Sequence, residues 1–277
     1  MDRDSCAEFA DIVSSELFCN AEPNFSQGRS RRRYWALNST RPSTRPNAFL
    51  SLAIWLLPNC GFKIWALRRL GNNVGADVTV GPNLVLGCGR FSLDDGASIS
   101  PFNVFRNLAN VSLGKKCFIG SWNQITAARG YQDYSDLVGL LLLEEQAAIT
   151  NRHYLDCSGQ IILRRYAGIG GIRSIFQSHE IDLVENKTTV GRIILGEQAM
   201  TGTAVIMLKD SYLPERSVLA AGSIVVKGKE GVELPSHSLY GGVPAKPIRP
   251  VGDFAWWRRD SYVTPVTPFD DEMFRLS

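Results

Sequence analysis

The sequence predicts an all-β solenoid, a parallel coil of short strands with small helices ahead of it and an extended C-terminal tail behind it. Three observations carry that expectation. Unit-starting residues recur every six positions at Leu195, Thr201, Met207, Leu213 and Leu219. The fifth place of each unit is small or branched, at Ala199, Val205, Ser211, Ser217 and Ser223. The same spacing runs upstream through Val74, Val80 and Leu86, through Leu113, Ile119 and Ile125, and through Leu143, Ile149 and Leu155. After a two-residue slip it continues at Leu163, Ile169 and Ile175. A period of six fits neither the helical repeat of about 3.6 nor the strand repeat of about 2. It suits flat strands joined by tight corners, with one residue per unit pointing inward and a small one beside the corner. Three units then make a triangular turn of about 18 residues, stacked on the next at about 4.8 Å.

The elements follow in order. Residues 1–47 read as an arm, rich in Asn, Ser, Arg and Pro over 21–47, with Arg29, Arg31, Arg32 and Arg33 clustered. The net charge of +3 is too small to argue for nucleic acid, so the cluster reads as a solvated surface. The start Met1-Asp2-Arg3-Asp4-Ser5-Cys6 lacks the basic-then-apolar order of a signal peptide. That predicts a cytoplasmic protein with reduced thiols, and the six cysteines form no C-x-x-C pair. Residues 48–72 read as a short helical cap, with Ile64, Leu67 and Leu70 at helical spacing and Gly71-Asn72 as the stop. Its apolar run Phe49 to Leu57 is far shorter than the roughly 20 residues that cross a bilayer. It predicts packing on the core end or at most peripheral membrane contact. The coil takes residues 73–228, interrupted by loops at 128–142 and 182–192, and residues 229–277 form the tail.

The chain has three histidines, His153, His179 and His237, and the first two are the catalytic candidates. A hydroxyl attacks a thioester poorly unless its proton is removed, and imidazole titrates near neutrality. His179 takes the fifth place of the unit at Ile175, just before a polar loop, and Glu180 or Asp182 could orient it as a carboxylate does in a triad. Those two carboxylates equally suit a solvated loop. His153 also takes a fifth place, as an acceptor contact, a neighbour tuning His179, or a hydrogen-bonded corner residue. Cys157 reads as a buried structural thiol and His237 as part of a surface turn.

The repeat units, the segment Gln177-Ser178-His179-Glu180 and the tail Gly241-Gly242-Val243-Pro244-Ala245-Lys246-Pro247-Ile248-Arg249 resemble the hexapeptide-repeat acyltransferases. The likeness covers about residues 73–250 and is nearest to sugar and polysaccharide O-acetyltransferases, with galactoside and maltose acetyltransferases as distant relatives. The resemblance implies a left-handed parallel β-helix, against the usual right-handed crossover rule. It implies acetyl-CoA as acyl donor, no metal, a homotrimer with clefts between subunits, and a sugar or nucleotide-sugar acceptor. Residue by residue it implies His179 as base, the Thr203 backbone N–H as oxyanion donor and Gly202 beside the pantetheine arm. It also implies CoA contacts at Ala221, Lys227, Lys246 and Arg249. Acceptor contacts are expected among Asn151, Arg152 and Asp156. Where the family has an acceptor-binding asparagine, this chain has Thr150 or Arg152.

Other readings share the fold. A γ-type carbonic anhydrase needs three zinc-binding histidines, two of them close in sequence, and the spacing here disfavours it. A non-catalytic trimeric scaffold would keep the coil without the chemistry. An N-acyltransferase acting on an amino-sugar or amine would use the same base.

Overall fold

A computed structural model describes residues 45–228, 232–262, 272 and 275. The predicted arm, except for its last three residues, lies outside the described residues. Helix α1 (Ala48–Leu56) starts at Asn47, whose side-chain oxygen accepts from the Phe49 and Leu50 amides. Helix α2 (Gly61–Arg69) follows. The two lie over the open end of the coil, where Trp55 packs on Phe91 at 4.5 Å and Phe91 meets Phe105 edge-on at 5.4 Å. Lys63 is fully buried between them, its ammonium donating to the Trp55, Leu57 and Gly81 carbonyls at 2.9, 2.8 and 2.7 Å. Burial pulls its pKa down to about 8. These bonds tie the exposed carbonyls at the end of α1 to the first coil.

The coil has three parallel faces. The first stacks Asn73–Val74, Arg90–Leu93, Asn110–Leu113, Leu140–Leu143, Gln160–Leu163, Arg192–Leu195 and Tyr212–Leu213. The second stacks Thr79–Val80, Ser98–Ile99, Phe118–Ile119, Ala148–Ile149, Gly168–Ile169, Met200–Thr201 and Val218–Leu219. The third stacks Leu84–Leu86, Val104–Arg106, Gln124–Thr126, Tyr154–Asp156, Ile175–Gln177, Ile206–Leu208 and Ile224–Val225. Each strand therefore bonds to the strand one coil away, and no coil stands alone. The core is columns of like residues, such as Val80, Ile99, Ile119, Ile149 and Ile169, all buried. Each fully buried aliphatic of this kind contributes about 1.5–3 kcal/mol.

The five predicted units from Leu195 to Leu219 all point inward, and their fifth-place residues are buried as expected. Upstream the period differs. Thr201 pairs with Leu219, 18 residues on, whereas Ile99 pairs with Ile119, 20 residues on. The two-residue slip is thus the ordinary length of the earlier coils, spent at wider corners. Single-residue changes at the corner between the second and third faces displace two expected inward residues: Val85, five places after Val80, is buried in place of Leu86, and Phe176, seven places after Ile169, in place of Ile175. His179 accordingly does not take a fifth place but opens a hairpin.

The interruptions also shift. The first is a loop containing a 3-10 turn at Arg129–Asp133, and the coil resumes at Leu140 rather than after 142. The second begins at 179, as a two-stranded hairpin of His179–Asp182 against Lys187–Val190. The tail adds to the coil by strand pairing. Ser238–Gly242 adds a parallel strand to the second face beside Val218–Leu219, and Ala245–Pro250 folds back on it, covering the sheet edge.

Candidate active site

The corner between the second and third faces is built by a buried polar ladder. The Asn103 amide donates to Asn83 Oδ1 at 2.8 Å, Asn123 to Asn103 Oδ1 at 2.9 Å and His153 to Asn123 Oδ1 at 2.9 Å. The Ser174 amide then donates to His153 Nδ1 at 3.1 Å. His153 Nδ1 is therefore an acceptor, and Nε2–H points at Thr150 Oγ1, 2.9 Å away. With 2% exposure the ring is held neutral, and burial lowers its pKa to about 4. This is the geometry of a hydrogen-bonded corner residue.

The corner between the third and first faces differs. Asp156 ends a third-face strand facing outward, yet the hairpin covers it to 4% exposure. Its Oδ1 accepts from the Ser158 amide at 3.1 Å and the Ser158 hydroxyl at 2.5 Å. Its Oδ2 accepts from the Ser178 amide at 3.1 Å and from His179 Nδ1 at 2.5 Å. The Ser158 hydroxyl also accepts from the Ala128 amide at the root of the first loop. Ser178 Oγ donates to the Asp156 carbonyl and accepts from Gly159. Four donors on one carboxylate make it an acceptor-only group, which fixes the proton of His179 on Nδ1 and leaves the Nε2 lone pair free. The His179 side chain keeps 36% exposure, so that nitrogen is reachable.

The expected orienting carboxylates do other work. Glu180 pairs with Lys209 at 3.0 Å, and Asp182 caps the hairpin turn by accepting from the Val184 and Glu185 amides. Asp156, expected among acceptor contacts, is the residue at the imidazole. Asp156 pairs with Gln177 one coil on, and only that register brings it to His179.

The two insertions flank a cleft of about 750 Å³, lined by Tyr131, Tyr134, Ser135 and Val138 from the first and by Ile181, Asn186, Lys187, Thr188 and Val190 from the second. The Tyr131 ring lies 6.1 Å from that of His179, so the cleft adjoins the imidazole. Sequence reading marked both insertions but assigned none of these residues to a pocket, because the loops meet only after the coil stacks.

The other expected positions gather elsewhere. Thr203, Ala221 and the hairpin turn before Lys246 stack on the corner between the second and third faces: the Gly222 amide donates to the Thr203 carbonyl, and the Gly242 amide to Ser223 Oγ. Lys227, Lys246 and Arg249 are exposed. Gly202 meets its own chain, since a Cβ there would stand 2.8 Å from the Ala221 amide nitrogen. Asn151 and Arg152 lie on this same corner, with Asn151 Oδ1 accepting from the Ser121 amide. A third-face strand separates this corner from His179, about five residues or roughly 15 Å of extended chain. Cys157 is buried and its thiol pKa is raised by burial, and His237 Nδ1 bonds to Ser236 Oγ in the tail. Among the described residues no group of three His, Cys, Asp or Glu side chains converges as a metal site.

No protein-family model and no curated protein matches this chain. Solved structures do. The chain is similar to AntD, an N-acyltransferase from Bacillus cereus, in complex with dTDP-4-amino-4,6-dideoxyglucose and coenzyme A, at 18% identity over 70% of this chain and 91% of that one, with a TM-score of 0.47. It is similar to the hexapeptide-repeat acetyltransferase VCA0836 from Vibrio cholerae, at 18% identity over 74% and 88%, with a TM-score of 0.41. It is similar to the polysialic acid O-acetyltransferase OatWY, at 14% identity over 70% and 93%, with a TM-score of 0.38.

Proposed function

We propose that this chain is an acetyl-CoA-dependent acyltransferase that acetylates a hydroxyl of a sugar or nucleotide-sugar, in the making of a surface polysaccharide, with His179 as general base. The observation that carries the reading is the Asp156–His179 pair. A buried carboxylate that fixes the imidazole tautomer and leaves Nε2 open beside a cleft suits proton abstraction better than any structural need of the coil. The acceptor hydroxyl gives its proton to Nε2 as its oxygen attacks the thioester carbonyl. The tetrahedral oxyanion takes a hydrogen bond from the Thr203 backbone N–H. The C–S bond then breaks, and the proton on Nε2 passes to the leaving thiolate. The cleft suits a sugar, with Tyr131 and Tyr134 for apolar ring faces and Ser135, Asn186 and Thr188 for hydroxyls.

Thr203 and His179 stand on different corners of successive coils, too far apart to touch one thioester. The reading therefore requires the thioester to lie between copies, with His179 from one protomer and the Thr203, Ala221, Lys246 and Arg249 corner from its neighbour. Lys227 completes that cationic edge for the CoA phosphates. Closed cyclic association, as in a trimer, repeats one such cleft per protomer.

The test is acetyl transfer by two variants. His179→Ala lowers kcat by about 10²–10⁴ with little change in CoA affinity, and Asp156→Asn lowers it by about 10²-fold or more with CoA affinity kept. Near-normal turnover in His179→Ala would remove the assignment.

A further inference from the structure

Helix α1 is built the wrong way round for a water-facing cap. Its sequence AFLSLAIWL holds one polar residue, Ser51, and that residue is buried against the coil with Ile54 and Trp55. The opposite side turns Phe49, Leu50 and Leu56 to solvent at 85%, 53% and 49% exposure. Helix α2 repeats the arrangement. Lys63, Ala66 and Leu67 face inward, while Phe62 and Trp65 are exposed at 62% and 52%. The Phe62 and Trp65 rings stack at 5.7 Å, and the Arg69 guanidinium lies 5.4 Å from the Trp65 ring. Exposed Arg68 stands one place before it, with its Nε and Nη2 donating to the Val74 and Gly75 carbonyls at 3.0 and 2.9 Å. Large apolar side chains placed outward this way leave a face for another phase or partner.

Charge decides which. The described residues 45–76 contain no Asp or Glu, and the exposed cations beside Phe62 and Trp65 are Arg68 and Arg69. A second copy docking face to face would set Arg68 and Arg69 against their counterparts with no carboxylate among residues 45–76 to offset them. An anionic surface takes them directly. α1 has nine residues, and no helix among the described residues is long and apolar enough to cross a membrane. The face is suited to lie in an interface, not to span it.

We propose that the α1–α2 cap docks the protein on an anionic phospholipid surface, with Phe49, Leu50, Leu56, Phe62 and Trp65 among the upper acyl chains and Arg69, with the outer edge of the Arg68 guanidinium, at the headgroup phosphates. The inference uses nothing from the acyl-transfer site, which lies at another part of the coil.

The experiment is sedimentation of the full chain with phosphatidylcholine vesicles, with and without about 30% phosphatidylglycerol, at low and high salt. The expected result is binding to the anionic vesicles, weakened by salt, and little binding to phosphatidylcholine alone. Phe49→Glu with Trp65→Glu lowers the partition coefficient at least about tenfold while the thermal midpoint stays put. If the Glu pair impairs folding, Phe49→Ala with Trp65→Ala tests the same loss at smaller amplitude. Absence of binding to the anionic vesicles overturns the proposal. So does full binding by the double variant, which would assign attraction to the arm alone. A smaller oligomer mass for the double variant in lipid-free light scattering would assign the face to another copy, and would overturn it as well.

Discussion

His153 and His179 occupy similar places in the sequence and opposite places in chemistry. His153 continues a ladder whose three preceding rungs are asparagines, and each rung needs a side-chain acceptor for the next backbone N–H. Asparagine supplies that acceptor, so His153→Asn is expected to keep the fold and to leave kcat within a few-fold. The same variant should change acid stability. The folded pKa of His153 is lowered to about 4, against about 6.5 unfolded, so between those values the unfolded chain binds more protons. The neutral ring's contribution is full above about pH 6.5 and lost as pH falls through 4, roughly 3 kcal/mol in all. His153→Asn should flatten that loss in thermal melts between pH 4 and 7. A collapse of activity in a folded His153→Asn protein would return His153 to the catalytic machinery. The identity of His179 as candidate base was legible in the sequence, through its place before a polar loop and the family resemblance. Its partner was not: Asp156 is 23 positions away, and only the pairing of Asp156 with Gln177 across coils brings them together.

At the scale of elements, the hexad was legible where coils are short and regular, from Leu195 to Leu219. Earlier coils carry two more residues between the third and first faces, and between the second and third faces the corner is one residue shorter before Val85 and one longer before Phe176, which takes the inward place from Leu86 and Ile175. A fixed period cannot see corners of variable width. The same stacking assigns Gly202 a structural duty. A Cβ there would come within 2.8 Å of the Ala221 amide nitrogen and 3.2 Å of the Leu219 carbonyl oxygen, both backbone atoms that yield only if the coil shifts. Gly202→Ala is expected to cost about 1–3 kcal/mol and to lower the thermal midpoint. An unchanged midpoint with lost CoA affinity would instead give Gly202 to the pantetheine arm alone.

For the whole molecule, the three faces and both insertions were legible as a solenoid with projecting loops. The hand of the coil is carried by the resemblance alone, and the arm lies outside the described residues. The tail's role in extending the second face was not legible, because its hairpin joins by strand pairing rather than by hexad pattern. The geometry leaves His179 and Thr203 on two different corners of successive coils. The reading therefore stands or falls on one thioester shared by two copies. A crystal structure with CoA bound tests this most directly. The account predicts the thiol sulfur within about 4 Å of His179 Nε2 of one protomer, and the phosphates against Lys246 and Arg249 of its neighbour. CoA bound wholly within one protomer, or with its sulfur far from every His179, would contradict it.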